Sequence, residues 1–265
     1  MLSDGRAAAH AAVFLGDAVG GKSALDQGAG YYYTAHCDAA GRFAVAHVRA
    51  GVYGLQAWSN GSDTADVSTA LAREAAVAVA AGRATELGDV VWPVSARPRL
   101  FRVGDVDRAT YGFRYGGAPY EHALADKCPA DLDFRVGTSA VGEWCFAQTR
   151  RGNWTVTFWI AGEDGKAART AAASTANLIV SLAGYSGGSV AVWVNDRVVG
   201  NIGGSPGMVP DPALHRSATT AGEWHLVEFG FDAALLRKGE NKVRFEMVRN
   251  RGLSGLMYDS IILER

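Results

Sequence analysis

Gly16-Asp17-Ala18-Val19-Gly20-Gly21-Lys22-Ser23 satisfies the phosphate-loop pattern GxxxxGK[ST] directly after an apolar stretch. Such a loop holds phosphate because it opens a helix whose first amide N–H groups point at the anion. Here it runs into Ala24-Leu25-Asp26-Gln27-Gly28-Ala29-Gly30, and the later glycines would break that helix in its second turn. No apolar strand ending in a magnesium-binding Asp follows in a parallel layout. A glycine-rich hairpin loop is therefore expected in place of a nucleotide site. The six histidines, His10, His36, His47, His122, His215 and His225, include no HxH or HExxH pair. His36 and His47 flank an expected hairpin and could meet, although ordinary strand histidines are the simpler reading. Asp105, Asp107 and Arg108 form a charged turn. It could hold calcium or a uronate, or cap a linker through an Arg–Asp pair, and the structural role is the expectation.

The residues better suited to gripping a ligand lie on strands. Trp154 to Ile160 alternates cleanly, with Trp154, Val156, Phe158 and Ile160 on one face and Thr155, Thr157 and Trp159 on the other. Val190, Val192 and Val194 alternate with Ala191, Trp193 and Asn195, and in Lys242 to Met247 the inward set is Val243, Phe245 and Met247. Trp159 and Trp193 thus point away from the apolar faces. On an outer sheet face an indole stacks on the CH face of a sugar while polar neighbours meet its hydroxyls. Arg135, Arg244 and Arg249 sit on or near strands and could meet carboxylates through charge-assisted hydrogen bonds. The alternative is that both sheet faces are covered and these tryptophans only pack.

The elements that must position these residues are β-strands. Leu178 to Leu182 and Ser260 to Leu263 read as further strands, separated from the others by Gly-, Ser- and Asn-rich turns. Asp232 to Leu236, stopped by Gly239, reads as one helical turn with an Asp cap. In the first third, Ala11 to Leu15, Tyr31 to Ala35, Phe43 to Val48 and Val52 to Trp58 read as strands, with turns at Asp38 to Gly41 and Ala50-Gly51. Ser68 to Ala81 is alanine-rich and helical by propensity, yet its Glu74 to Ala80 part, ending at Gly82, could equally be a strand. Trp92-Pro93 and Arg97-Pro98-Arg99 favour an extended linker, so the expected domains are 1–97 and 98–265.

The length of 265 residues suits two such modules better than one. A net charge of −1 supplies no global field for nucleic acid or an anionic membrane, and no run of about 18 apolar residues exists to span a bilayer. An acidic ligand would need a local basic cluster. Of the 26 basic residues 21 are Arg, which suits carboxylate contacts but equally reflects an Ala- and Arg-rich composition. Cys37, Cys128 and Cys145 match no zinc spacing. Cys128 and Cys145 share one expected domain and could pair, leaving Cys37 free; three reduced thiols are equally possible. Asn60-Gly61-Ser62 and Asn153-Trp154-Thr155 are glycosylation sequons of a kind that arises often by chance. The start, MLSDGRAAAHAAVFLG, does not read as a signal peptide; the mature form of a secreted protein, or a fragment, would look this way.

Tyr31-Tyr32-Tyr33-Thr34, Asp38-Ala39-Ala40-Gly41-Arg42-Phe43 and Val48-Arg49-Ala50-Gly51-Val52-Tyr53-Gly54-Leu55-Gln56-Ala57-Trp58 together resemble the fibronectin-III-like middle domain of rhamnogalacturonan lyases, with its "DG.F.I..VRPGTY.L.AW". Leu87 to Trp92 is similar to the closing "LG.L.W" strand of that domain. Leu100 to Thr110 resembles the "LW.IG..DRT" that opens the family's third, carbohydrate-binding-like domain. Phe134 to Ser139, Trp154 to Ile160 and Tyr258 to Leu263 resemble its "Y.VG.S", "WTI.F.L" and "YD.I.L". These segments follow the family order over nearly the whole chain.

The resemblance implies an all-β protein of two β-sandwich domains, fibronectin-III-like over 1–97 and jelly-roll, carbohydrate-binding-module-like over 98–265, and it favours the strand reading of Glu74 to Ala80. It implies a non-catalytic, extracellular accessory region that binds pectic polysaccharide (rhamnogalacturonan). Trp159 and Trp193 would stack on its sugars, and Arg135, Arg244 and Arg249 would meet galacturonate carboxylates. A monomer without nucleic-acid or membrane partners is expected. Jelly-roll modules often hold structural Ca2+, whose ligands the sequence does not assign. In that family β-elimination at galacturonate uses basic residues of a first and largest domain that has no counterpart here, so no catalytic residue carries over. An endolyase whose catalytic domain is missing from or upstream of this chain, and a purely structural pair of sandwiches, are the competing readings.

Overall fold

Alternating strands must pair at their edges and bury their apolar faces under a second layer. The computed structural model describes residues 1–19, 22–23, 32–58, 71–72, 76–161, 175–203, 208–249, 252 and 254–265. Over these residues the chain is all-β, with short 3-10 turns at Leu124–Lys127, Val141–Glu143, Leu214–Arg216 and Ala233–Leu235. No helix is long and apolar enough to cross a membrane. The chain divides into two compact units, Met1–Ala96 with Asp105–Arg108, and Arg97–Gly104 with Ala109–Arg265.

The first unit holds β1 (Ala12–Val19), β2 (Lys22–Ser23), β3 (Tyr32–His36), β4 (Gly51–Trp58), β5 (Leu71–Ala72) and β6 (Val77–Val79). They form one antiparallel sheet in the order β2-β1-β4-β5, with β3 also on β1 and β6 also on β4. Lys22 pairs with Val19 and Ser23 with Ala18. Within the phosphate-loop string Lys22-Ser23 thus lies in a strand paired with Ala18-Val19; Gly20, Gly21 and residues 24–31 lie outside the described residues, as do Asn60-Gly61-Ser62 and residues 73–75. The end of the alanine-rich segment is the strand β6. Val13, Leu15, Tyr53, Leu55 and Val77 form the core with Leu2 and Trp92, which bridge each other.

Two expected strands differ. Phe43 to Val48 and Leu87 to Val91 join no ladder, and each contains a left-handed residue, His47 at φ 57° and Gly88 at φ 63°. Phe43, Val48, Leu87 and Val90 instead lie over the core as partly buried residues. Period-two burial can be met by packing onto a sheet face as well as by pairing at its edge, and β4 already has β1 on one edge and β5 and β6 on the other. A groove of about 1070 Å3 remains between the sheet and these segments, floored by Leu15, Leu55, Val77 and Val79. Because β3 pairs with β1 rather than with the Phe43 to Val48 segment, the hairpin that would bring His36 to His47 does not form. The Asp105–Arg108 turn joins this unit. Arg108 Nη1 donates to Gln56 Oε1 at 2.7 Å and its guanidinium lies 5.5 Å from the Trp58 ring centre, a packing role.

The second unit is a sandwich of two sheets. Its strands are β7 (Arg99–Gly104), β8 (Leu132–Arg135), β9 (Ala147–Gln148), β10 (Gly152–Ile160), β11 (Thr175–Tyr185), β12 (Ser189–Val194), β13 (Arg197–Ile202), β14 (His225–Asp232), β15 (Gly239–Arg249) and β16 (Leu256–Glu264). One sheet runs β13-β12-β15-β10-β8; the other runs β14-β11-β16-β7, with β9 also on β16. Trp154, Val156, Phe158, Val190, Val192, Val243, Phe245 and Met247 from the first meet Leu178, Val180, Leu182, Phe229, Tyr258, Ile261 and Leu263 from the second in one core. As expected, Asp232 caps the 3-10 turn, accepting from Ala234 N at 2.8 Å.

An aromatic box sits at the centre. The Trp144 ring meets Trp154 at 5.2 Å, Tyr258 at 5.4 Å and Phe245 at 6.2 Å between centres, each edge-to-face, and Trp154 stacks with Tyr258 at 5.7 Å. Such pairs add about 0.5–1.5 kcal/mol each beyond burial. Tyr258 Oη donates to Gln148 Oε1 at 2.7 Å, and Gln148 Nε2 donates to the Phe245 carbonyl at 3.1 Å. Cys128 and Cys145 form a disulfide at the edge of the box, and Cys37 is a buried thiol of the first unit. The bridge ties both flanks of the box: Cys145 follows Trp144, and Trp154 Nε1 donates to the carbonyl of Pro129, next to Cys128.

Two outcomes follow for stability. The bridge spans 17 residues, which corresponds to about 3 kcal/mol of loop-closure stabilisation. Calorimetry of Cys128→Ser/Cys145→Ser is expected to show the second unit melting roughly 10 °C lower; an unchanged Tm would show that the bridge contributes nothing. Burial pushes the Tyr258 phenol well above the ordinary tyrosine range. The folded state then holds this proton more tightly than the unfolded chain, so stability falls as pH rises past about 10. Tyr258→Phe should be about 1–3 kcal/mol less stable at neutral pH, because Gln148 loses its donor, and should decline less steeply above that pH.

Candidate functional site

The two faces of β10 divide the work of the second unit. Trp154, Val156 and Phe158 are buried in the core, whereas Trp159 is 73% exposed on the opposite face. Alternation and register then fix its neighbours. Glu240 of β15 stands directly across from Trp159, Lys242 from Thr157 and Arg244 from Thr155. On the other edge β8 runs parallel and sets Arg135 beside Thr157 and Asp133 beside Thr155. Trp193 of β12 faces Arg244 from the far side of β15. The outer face therefore carries Trp159, Trp193, Arg135 and Arg244 together.

The charges on this face are matched. Glu240 takes Lys242 Nζ at 3.5 Å and Arg135 Nη1 at 3.7 Å. Arg244 Nη1 lies 3.4 Å from Glu246 and donates to Asn153 Oδ1 at 3.0 Å, while its guanidinium covers the Trp193 ring at 4.4 Å. Trp193 points outward but is half-buried beneath that cation, and its Nε1 is buried with no acceptor among the described residues. Arg249 is exposed at the end of β15, opposite Ser189. A register shift between Ser189 and Val190 breaks the alternation just before it, and it lies at the strand end, five residues beyond Arg244. Asn153 of the second sequon lies in β10 and is engaged by Arg244.

Trp159 rests on a supported turn. A side chain at Gly239 would stand 3.7 Å from the indole, and this glycine holds a left-handed φ of 93°. The fully buried Asn241 fastens the start of β15. Its Oδ1 accepts from Arg237 N at 2.9 Å and Asn195 Nδ2 at 3.0 Å, and its Nδ2 donates to the carbonyls of Arg237 at 2.7 Å and Gly239 at 3.0 Å. Glu240, Lys242 and Asn241 were absent from the sequence-based set. Extending the β15 alternation by two residues toward the N-terminus places Glu240 outward with Lys242, a signal already present in the pattern.

Among the described residues no catalytic constellation accompanies this face. Gly184-Tyr185-Ser186-Gly187-Gly188 has the GxSxG spacing of a nucleophile elbow, but it links β11 to β12 of the opposite sheet rather than strand to helix. Ser186 Oγ accepts from Leu214 N at 3.3 Å, a structural bond. Among the described residues no group of three or more His, Cys, Asp or Glu side chains is placed to hold a metal ion.

Residues 3–87 match the family model for polysaccharide lyase family 4, domain II, of fibronectin-III type. Residues 99–263 match the model for polysaccharide lyase family 4, domain III, described as CBM-like. A rhamnogalacturonate lyase of Dickeya dadantii (strain 3937) is 28% identical over 239 residues, covering 89% of this chain and 39% of the relative. The chain thus spans about two fifths of that relative's length. Among solved structures, a family 35 carbohydrate-binding module from an environmental isolate is similar at 14% identity and a TM-score of 0.25, over 44% of this chain and 66% of that one. A β-porphyranase of glycoside hydrolase family 86 from Bacteroides plebeius is similar at 18% identity and a TM-score of 0.26, over 44% of this chain and 18% of that one. Likenesses this distant bear on neither ligand nor chemistry.

The support under Trp159 is testable. Asn241→Ala removes the partners of several buried groups and is expected to cost on the order of 2–3 kcal/mol in urea denaturation. A loss below about 0.5 kcal/mol would mean that water replaces the asparagine and the turn needs no such fastening.

Proposed function

We propose a function on a premise that the two family matches establish: the chain belongs to polysaccharide lyase family 4, and it carries that family's domains II and III. The second unit is a non-catalytic carbohydrate-binding module directed at pectic polysaccharide. The observation that carries this reading is Trp159, an indole left 73% exposed on an otherwise polar sheet face. Burying that ring against solvent-exposed sugar CH groups is favourable, and the surrounding Glu240, Lys242 and Arg135 offer hydrogen bonds to hydroxyls. The relative named rhamnogalacturonate lyase supports a rhamnogalacturonan-type ligand. The Cys128–Cys145 disulfide supports an oxidising, extracellular setting. Trp159 is the primary platform and Arg135 its polar partner. Trp193 contributes only where Arg244 swings off its ring, and Arg249, at the far end of β15, is a peripheral contact.

The test is calorimetric titration of the chain with rhamnogalacturonan oligosaccharides, with the same mixture followed at the absorbance of unsaturated uronates. Saturable heat without new absorbance is expected. Trp159→Ala should weaken binding at least tenfold, about 1.4 kcal/mol, while Trp193→Ala should change it by less. Rising absorbance would place lyase chemistry in these two domains and overturn the non-catalytic reading. Neither signal would leave a structural pair of sandwiches.

A further inference from the structure

We infer that the Trp159 face takes the neutral sugar units of a pectic chain and not its uronates. This rests on the carbohydrate-binding reading above and names the ligand class of that site. The outward positions of β8 and β15 around Trp159 carry three cations, Arg135, Lys242 and Arg244, and three carboxylates, Asp133, Glu240 and Glu246, while Arg197 and Arg249 stand at strand ends. These positions balance among themselves and offer no local attractive field to a polyanion.

Placement matters more than the sum. The group directly across from Trp159 is the Glu240 carboxylate, and both nearby cations converge on it, Lys242 at 3.5 Å and Arg135 at 3.7 Å. A uronate stacked on the indole would bring a second carboxylate beside Glu240, where the two compete for the same cations. Exposed pairs of this kind are individually weak, so they do not bar a ligand by their own strength. What excludes the uronate is the like charge and, among the described residues of these strands, the lack of an unmatched, preorganised guanidinium fork beside Trp159. Arg244, the remaining cation, is engaged by Glu246, Asn153 and the Trp193 ring. A neutral pyranose meets no such conflict. Its hydroxyls donate to Glu240 and accept from Lys242 and Arg135, and its apolar face covers Trp159. Selection against the wrong ligand through a placed like charge is an ordinary route to specificity.

The experiment titrates the intact chain with neutral galacto-oligosaccharides, with rhamnogalacturonan oligosaccharides and with oligogalacturonate, at low and high salt. The first two are expected to bind, to lose affinity at least tenfold in Trp159→Ala, and to change by less than about twofold with salt. Oligogalacturonate is expected not to bind, and Glu240→Gln, which removes the carboxylate across from Trp159, should gain at least about threefold affinity for it. Oligogalacturonate binding that needs Trp159 and falls about tenfold with salt would overturn this inference while leaving the binding module intact. Binding of a neutral ligand undiminished in Trp159→Ala would overturn the assignment of the face. No binding by any of the three would overturn the carbohydrate-binding reading and this inference together.

Discussion

The second unit depends on the burial of Trp154. Its ring stacks on Tyr258 and takes the edge of Trp144, and its N–H is satisfied by the carbonyl of Pro129. Removing a tryptophan from such a box costs about 3–5 kcal/mol, so the register of β10 is held firmly. Strand side chains alternate with period two, and a slip of one residue would turn every one of them over. With Trp154 inward, Trp159 five positions later must point outward. The core and the candidate ligand face are thus two sides of one constraint.

That constraint reaches the neighbouring strands. β15 pairs with β10 along its length, which sets Glu240, Lys242 and Arg244 on the same outer face. β8, pinned beside β10 in parallel, adds Arg135 and Asp133. The disulfide holds the two flanks of the aromatic box, and Asn241 fastens the turn under Trp159. An exposed indole costs nothing in side-chain ordering when its strand is rigid, which is the preorganisation that sugar binding needs. The charges around it are held in ion pairs, so the platform gains polar partners that are already oriented.

Much of this was legible in the chain itself. The alternations at Trp154 to Ile160, Val190 to Val194 and Lys242 to Met247 determine which residues are core, because burial on one face leaves a period-two record. The outward direction of Trp159 and Trp193 follows from the same record. What alternation does not encode is the partner of a strand. Phe43 to Val48 carries the burial pattern of a strand yet lies over a sheet face, and the register shift between Ser189 and Val190 interrupts the alternation before Arg249. Covering of Trp193 by Arg244 depends on cross-strand register, which only assembly of the sheet reveals. The pairing of Cys128 with Cys145 is likewise a fact of three-dimensional proximity. Strings proved the weakest guides: the Lys22-Ser23 of a phosphate-loop pattern lies in a strand paired with Ala18-Val19.

The most direct test of this account is an NMR titration of protein labelled at its seven tryptophans with rhamnogalacturonan oligosaccharides, following each indole N–H. The account predicts a saturable shift of the Trp159 signal, with the signals of the buried Trp144 and Trp154 unmoved. Saturable binding that leaves Trp159 unshifted and moves other tryptophans would contradict it, because the ligand would then sit on a face that the register of β10 does not build.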